Sequence, residues 1–225
     1  MKYIFIQIPC YRDAEIIPTI EDCIKKADNP RRLKFAIAWQ KDNSDTYLTE
    51  YQDRDNFNVL SFDWKYSSGV CWARHQLQKF YDGEDYILQL DSHHRFVQNW
   101  DRILLRMIKE TGSDKPVLST CGTPYFTDKL FEVDLTPTRA VFNRFTPQGI
   151  LHHKPQYMDD YRKIKAPEPA RFVSGHFLFT TGDFIENVPS DPGLYFNGEE
   201  ISLAVRAYTR GYDLFHPNKL ILYHL

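Results

Sequence analysis

Asp85-Tyr86-Ile87-Leu88-Gln89-Leu90-Asp91-Ser92-His93 is an apolar run of strand length that stops on an acid, a hydroxyl and an imidazole. Its bulky apolar residues predict a buried strand over 85–90 that delivers the chain directly to Asp91. Upstream, 3–8 reads as another buried strand ending at Pro9. Over 15–26, Ile16, Ile17, Ile20, Cys23 and Ile24 recur at helical spacing. Strands follow over 33–39 and 58–62, the second leading into a helix over 70–80 that Gly83 and its polar neighbours end. Downstream come a helix over 99–111 closed by Gly112, strands over 116–119 and 171–180, a helix over 199–210 stopped by Gly211, and a last strand over 220–223.

Strands alternating with helices predict an α/β fold with a mostly parallel sheet and right-handed crossovers. In such open sheets ligands bind beyond the carboxyl ends of the strands, which is where Asp91 falls. The pattern dissolves over 122–170, a stretch bearing Pro124, Pro137, Pro147, Pro155, Pro167 and Pro169 with no sustained period. That stretch reads as a functional loop or lid. A chain of 225 residues buries about 70% of its unfolded surface, so one catalytic domain over 1–225 is expected.

Composition narrows the function. A net charge of −2 with both signs interspersed lacks the electrostatic footprint of a nucleic-acid-binding protein. No apolar run approaches the roughly 18 residues of a membrane-spanning helix. The four cysteines, Cys10, Cys23, Cys71 and Cys121, are scattered without CxxC spacing, which fits a reducing compartment.

In an extended segment Asp91 and His93 face the same side with Cα atoms about 6.5 Å apart, while Ser92 faces away. A carboxylate and an imidazole at that spacing suit Mn²⁺ better than Ca²⁺, which prefers oxygen-only shells. The competing reading is that Asp91 caps the next turn. His224 is the preferred third ligand and His216 the next, while His94 points the other way and reads as a supporting or packing residue. Glu199 and Glu200 open a helix, where acids either cap it or face an acceptor hydroxyl. Gly175, inside the expected strand over 171–180, marks close approach of a ligand or of a neighbouring helix. One carboxylate with two histidines also forms the facial triad of non-haem Fe(II) oxygenases, but those put histidine first on all-β barrels. A non-catalytic sugar- or nucleotide-binding module is the other alternative.

Ile8-Pro9-Cys10-Tyr11-Arg12-Asp13-Ala14-Glu15 resembles the first strand and nucleotide-binding turn of GT-A glycosyltransferases. Leu88 to Phe96, followed by Trp100-Asp101, resembles their DxD region in DxH form. The ordered likeness is similar to the family of cytoplasmic enzymes that attach N-acetylglucosamine to hydroxyproline on a ubiquitin-ligase adaptor. The resemblance implies a UDP-sugar donor, Mn²⁺ or Mg²⁺ on its diphosphate, a protein or glycan hydroxyl acceptor, and retention of anomeric configuration. Asp91 and His93 match its metal motif, which His224 completes. Pro9, Tyr11, Arg12 and Glu15 match the nucleotide-facing turn, and Arg74 matches a residue reaching the diphosphate. Gly175 is placed beside the donor, Glu199 and Glu200 near the acceptor. Trp39-Gln40 stands where many such enzymes carry an acid for uridine.

Overall fold

The computed structural model describes residues 1–126 and 136–225. The first half runs β1 (Ile4–Tyr11), α1 (Ile16–Lys26), β2 (Leu33–Lys41), β3 (Phe57–Asp63), α2 (Val70–Gln78) and β4 (Tyr86–Leu90). The second half continues with β5 (His94–Phe96), α3 (Trp100–Glu110), β6 (Pro116–Ser119), β7 (Thr123–Pro124), β8 (Thr138–Phe145) and β9 (Leu151–Tyr157). It closes with β10 (Glu168–Pro169), β11 (Phe177–Thr181), α4 (Phe184–Asn187), α5 (Glu199–Thr209), β12 (Asp213–His216) and β13 (Leu222–His224).

Eight strands form one sheet in the order β10, β12, β6, β11, β4, β1, β2, β3. Alternation along β1 divides the core: Ile4, Ile6 and Ile8 pack with Ile16, Ile20 and Trp100 on one face. On the other face Phe5 packs with Ala73, Leu77 and Leu203. The order reverses between β1 and β4, since β2 and β3 extend one way from β1 and β4 lies on its other side. A crevice at the carboxyl ends of β1 and β4 follows from that reversal.

The sheet is mostly parallel, as expected: β1 pairs in parallel with β2 and β4, while β11 runs antiparallel to both β4 and β6. Two finer expectations are corrected. The strand expected over 171–180 begins only at Phe177, and Gly175 lies in the turn before it, bridged by a Ser174–Phe177 contact. Pro9 does not end β1. Its β4 partner leaves the ladder after Gln7, so a residue without an N–H is tolerated beyond that point.

Within the Pro-rich stretch, 127–135 lie outside the described residues, but 138–157 hold the antiparallel hairpin β8–β9. The second half of each strand, 142–145 and 154–157, is exposed throughout, so the apolar/polar alternation that announces a half-buried strand is missing. A register shift between Phe142 and Arg144 interrupts the period further.

Candidate functional site

Two adjoining cavities lie at the carboxyl ends of β1 and β4. The first, about 300 Å³, is lined by Pro9, Tyr11, Gln40, Gly69, Asp91 and His93 among others. The second, about 250 Å³, is lined by Asp91, His153, Glu199, Glu200 and His224 among others. Val70, Asp91 and Phe196 border both. Gly69 lets the chain pass close to Tyr195 in the lining of the first cavity, because a Cβ there would collide with the Tyr195 carbonyl oxygen.

Asp91, His93 and His224 meet where the cavities join, each offering a ligand atom within 4.8 Å of the others. The far end of the chain reaches this point through β13, which pairs antiparallel with β5 and sets His224 opposite His94. Burial pulls the His224 imidazole down to about 4, so at neutral pH it is uncharged with a free lone pair. Its Nε2 is buried without a hydrogen-bond partner. One carboxylate, two imidazoles and an orphaned ring nitrogen fit a divalent cation of the Mn²⁺ type.

Asp13 orients this set. Its Oδ2 lies 2.7 Å from His93 Nδ1 and accepts the Ser92 hydroxyl at 2.6 Å, while Oδ1 accepts the Glu15 amide at 2.9 Å. Burial works against the charge on Asp13, but the hydrogen bonds from His93 and Ser92 prevail and hold its carboxyl at about 2. The hydrogen bond to Asp13 in turn raises the pKa of His93. A carboxylate on one ring nitrogen leaves the other aimed outward, the usual arrangement behind a metal-binding histidine.

Arg74 ties the floor together. Fully buried, it donates to Asp91 Oδ1 at 2.9 Å, to the Gly175 carbonyl at 2.7 Å and to Glu199. Burial raises the pKa of Glu199, an effect that Arg74 opposes. Glu200 sits differently: Oε1 accepts the Gly175 amide at 2.8 Å, and Oε2 lies 3.0 Å from His153 Nε2. Burial disfavours its charge, yet His153 outweighs that and lowers its pKa. On His153 itself burial lowers the pKa, but Cys121 and Glu200 push it up to about 10.

Of the residues expected to face the donor, Pro9, Tyr11 and Asp91 line the first cavity, while Gly175 and Arg74 line the second. Arg74 makes its contacts with the Asp91 and Glu199 carboxylates and the Gly175 carbonyl. Arg12 and Glu15 border neither cavity. Arg12 pairs with Asp42 at 3.1 Å over the Trp64 ring, and Glu15 holds Arg95 at 2.6 Å. Gly175 marks close approach of a helix: a Cβ there would stand 2.7 Å from Glu199 Oε1. His216 is buried against the Ser119 carbonyl, apart from the cluster.

Asp13 and His153 were missed by sequence reasoning. Asp13 had a signal, an acid two residues after Tyr11 in the turn that follows β1. His153 had none, because it arrives on the hairpin.

A β3-β2-β1-β4 half-sheet with an Asp-x-His at the end of β4 is the arrangement of a GT-A nucleotide-sugar transferase. The chain belongs to the Glycosyltransferase (GlcNAc) family, whose model matches residues 3–59 and 48–225. That membership removes the oxygenase alternative. Among solved structures, GalNAc-T7 with UDP, GalNAc and Mn²⁺ superposes with a TM-score of 0.72 at 15% identity, covering 100% of this chain and 44% of that one. S. aureus TarS 1–349 gives 0.65 at 14% identity, covering 99% and 60%. The same fragment with UDP-GlcNAc gives 0.56 at 15% identity, covering 98% and 58%. The chain thus spans less than two thirds of each, and likeness at this identity establishes the shared fold. No curated protein sequence matches. Among the described residues, no helix is long and apolar enough to cross a membrane.

Proposed function

We propose that residues 1–225 form a single GT-A catalytic domain that moves a sugar, N-acetylglucosamine, from a UDP-sugar to a protein or glycan hydroxyl with retention. The convergence of Asp91, His93 and His224 at the junction of two cavities carries this reading. The nucleotide occupies the first cavity against Pro9, Tyr11 and Gln40, and the acceptor enters the second beside Glu200. The donor class is supported by family membership and by the UDP and UDP-GlcNAc complexes of TarS.

A Mn²⁺ or Mg²⁺ ion held by Asp91, His93 and His224 would stabilise the negative charge that grows on the departing diphosphate. Opposite unit charges ~4 Å apart at an effective dielectric near 20 attract by about 4 kcal/mol. Arg74 fixes the Asp91 carboxylate facing that charge. Glu200, kept ionised by His153, accepts a hydrogen bond from the acceptor hydroxyl and orients it. No covalent nucleophile is assigned, since retaining transfer can proceed on one face of the sugar.

Hydroxyproline on a ubiquitin-ligase adaptor is the acceptor that the sequence resemblance favours. A cytoplasmic setting accords with four cysteines that form no disulfide. The hairpin serves as the acceptor-side lid, as it brings His153 to the second cavity.

The test is UDP release from UDP-GlcNAc with Mn²⁺, then acceptor trials with hydroxyproline peptides and sugars. Release that EDTA abolishes is expected, and Asp91→Ala should lose it while keeping the fold. Turnover undiminished by EDTA would overturn the metal assignment, and no release from any UDP-sugar would overturn the activity.

A further inference from the structure

We propose that His94, His176 and His224 form a second, all-imidazole site for a borderline transition ion such as Zn²⁺ or Co²⁺, sharing His224 with the Asp91–His93 set. These three rings offer nitrogens within 4.8 Å of one another. His94 is fully buried, with Nδ1 3.1 Å from the Asp91 carbonyl oxygen and Nε2 3.1 Å from His176 Nδ1.

The hydrogen bonds define the tautomers. A carbonyl oxygen only accepts, so a neutral His94 carries its hydrogen on Nδ1 and its lone pair on Nε2. A backbone carbonyl behind one ring nitrogen is the support that metal-binding histidines use. His176 therefore donates from Nδ1 to His94. Its own Nε2 is buried without a partner, as is Nε2 of His224.

The spacing suits a metal. Two nitrogens bound tetrahedrally at zinc-like bond lengths stand about 3.3 Å apart, close to the separation already present between His94 and His176. Binding moves the His176 hydrogen from Nδ1 to Nε2, so both rings present lone pairs and no proton leaves the site. The His176 and His224 rings lie nearly parallel, with centroids 3.9 Å apart, so His224 turns about χ2, a soft torsion, to complete the set.

An all-nitrogen shell selects Zn²⁺, Co²⁺, Ni²⁺ or Cu²⁺ over Mg²⁺ or Mn²⁺. Because His224 serves either set, an ion in the imidazole site draws it from Asp91 and His93, and such borderline ions antagonise Mn²⁺. That antagonism rests on the proposed function; occupancy of the site does not.

The experiment is a Co²⁺ titration followed by visible absorption in the Asp91→Ala/His93→Ala double variant, which lacks the first set and keeps the imidazole trio. One equivalent of Co²⁺ with four-coordinate bands is expected, and adding His176→Leu should weaken it by more than ~100-fold, beyond the roughly 10- to 100-fold cost of losing a supporting residue. A folded double variant that binds no Co²⁺, or a His176→Leu variant that titrates unchanged, would overturn the proposal. Cu²⁺ paramagnetic resonance on the wild-type protein needs no variant. Three imidazole nitrogens in its hyperfine pattern support the site, and two or fewer refute it.

Discussion

Asp13 Oδ2 lies 2.7 Å from Nδ1 of His93, so the residue meant to hold a cation is aimed by a carboxylate from the turn after the first strand. The same oxygen accepts the Ser92 hydroxyl, which locks the Asp91-Ser92-His93 segment to that turn. Loss of such a supporting carboxylate costs roughly 10- to 100-fold in metal affinity. Asp13→Asn should therefore raise the Mn²⁺ concentration that half-saturates UDP release by about that factor. An unaltered Mn²⁺ requirement would remove His93 from the metal set.

Arg74 answers two carboxylates from a site with almost no solvent contact. Removing one partner of a buried ion pair costs about 3–5 kcal/mol, because the other charge is left uncompensated. Arg74→Met should destabilise the fold by roughly that amount in urea unfolding. Changing Glu199→Leu as well should recover part of the loss. A double variant no more stable than Arg74→Met would mean that the pair is not what the single change disrupts.

How far this site was legible before the fold was known depends on which contacts are local. Ile4, Ile6 and Ile8 advertise a strand because every one of them is buried, and Asp91 follows a run with the same property. His224 was reachable by reasoning because an imidazole closes a terminal strand of a sheet whose ends form the site. The hairpin was not legible, since Phe142, Phe145 and Tyr157 are exposed and the register slips beside Asn143. His153 was hidden with it. The direction of β11 was also hidden, because antiparallel and parallel buried strands share the same apolar run. Gly175 was noticed for a correct reason, close approach, but what approaches is Glu199 from a helix 24 positions later.

Gly175 is thus a packing requirement in the lining of the second cavity. An added methyl would meet Glu199 Oε1 at 2.7 Å, and that carboxylate cannot retreat while Arg74 grips it. Overpacking of this kind costs about 1–3 kcal/mol. Gly175→Ala should lose stability in that range by urea unfolding, and the shorter side chain of Glu199→Asp in the same protein should restore part of it. A Gly175→Ala protein as stable as wild type would show that Glu199 moves freely.

The His153–Glu200 contact makes stability depend on pH with a defined sign. His153 has a folded pKa of about 10, above its ordinary 6.5, so its contribution is fully present below 6.5 and is lost as pH rises towards 10. Glu200 has a folded pKa below its ordinary 4.5, so its contribution is present above 4.5 and is lost as pH falls below it. The two windows overlap between about 4.5 and 6.5, where the pair supports the hairpin most. His153→Gln keeps a hydrogen-bond donor but cannot titrate. Its melting temperature should fall furthest below wild type near pH 6, and the gap should narrow by pH 9.5. Because Glu200 is also held by the Gly175 amide, the variant keeps that carboxylate in the cavity and loses only its second anchor. The apparent affinity for the acceptor should then weaken while UDP release without acceptor stays at the wild-type rate. A constant melting difference from pH 6 to 9.5 would show that His153 contributes packing alone, and equal losses in both rates would take Glu200 out of the acceptor cavity's chemistry.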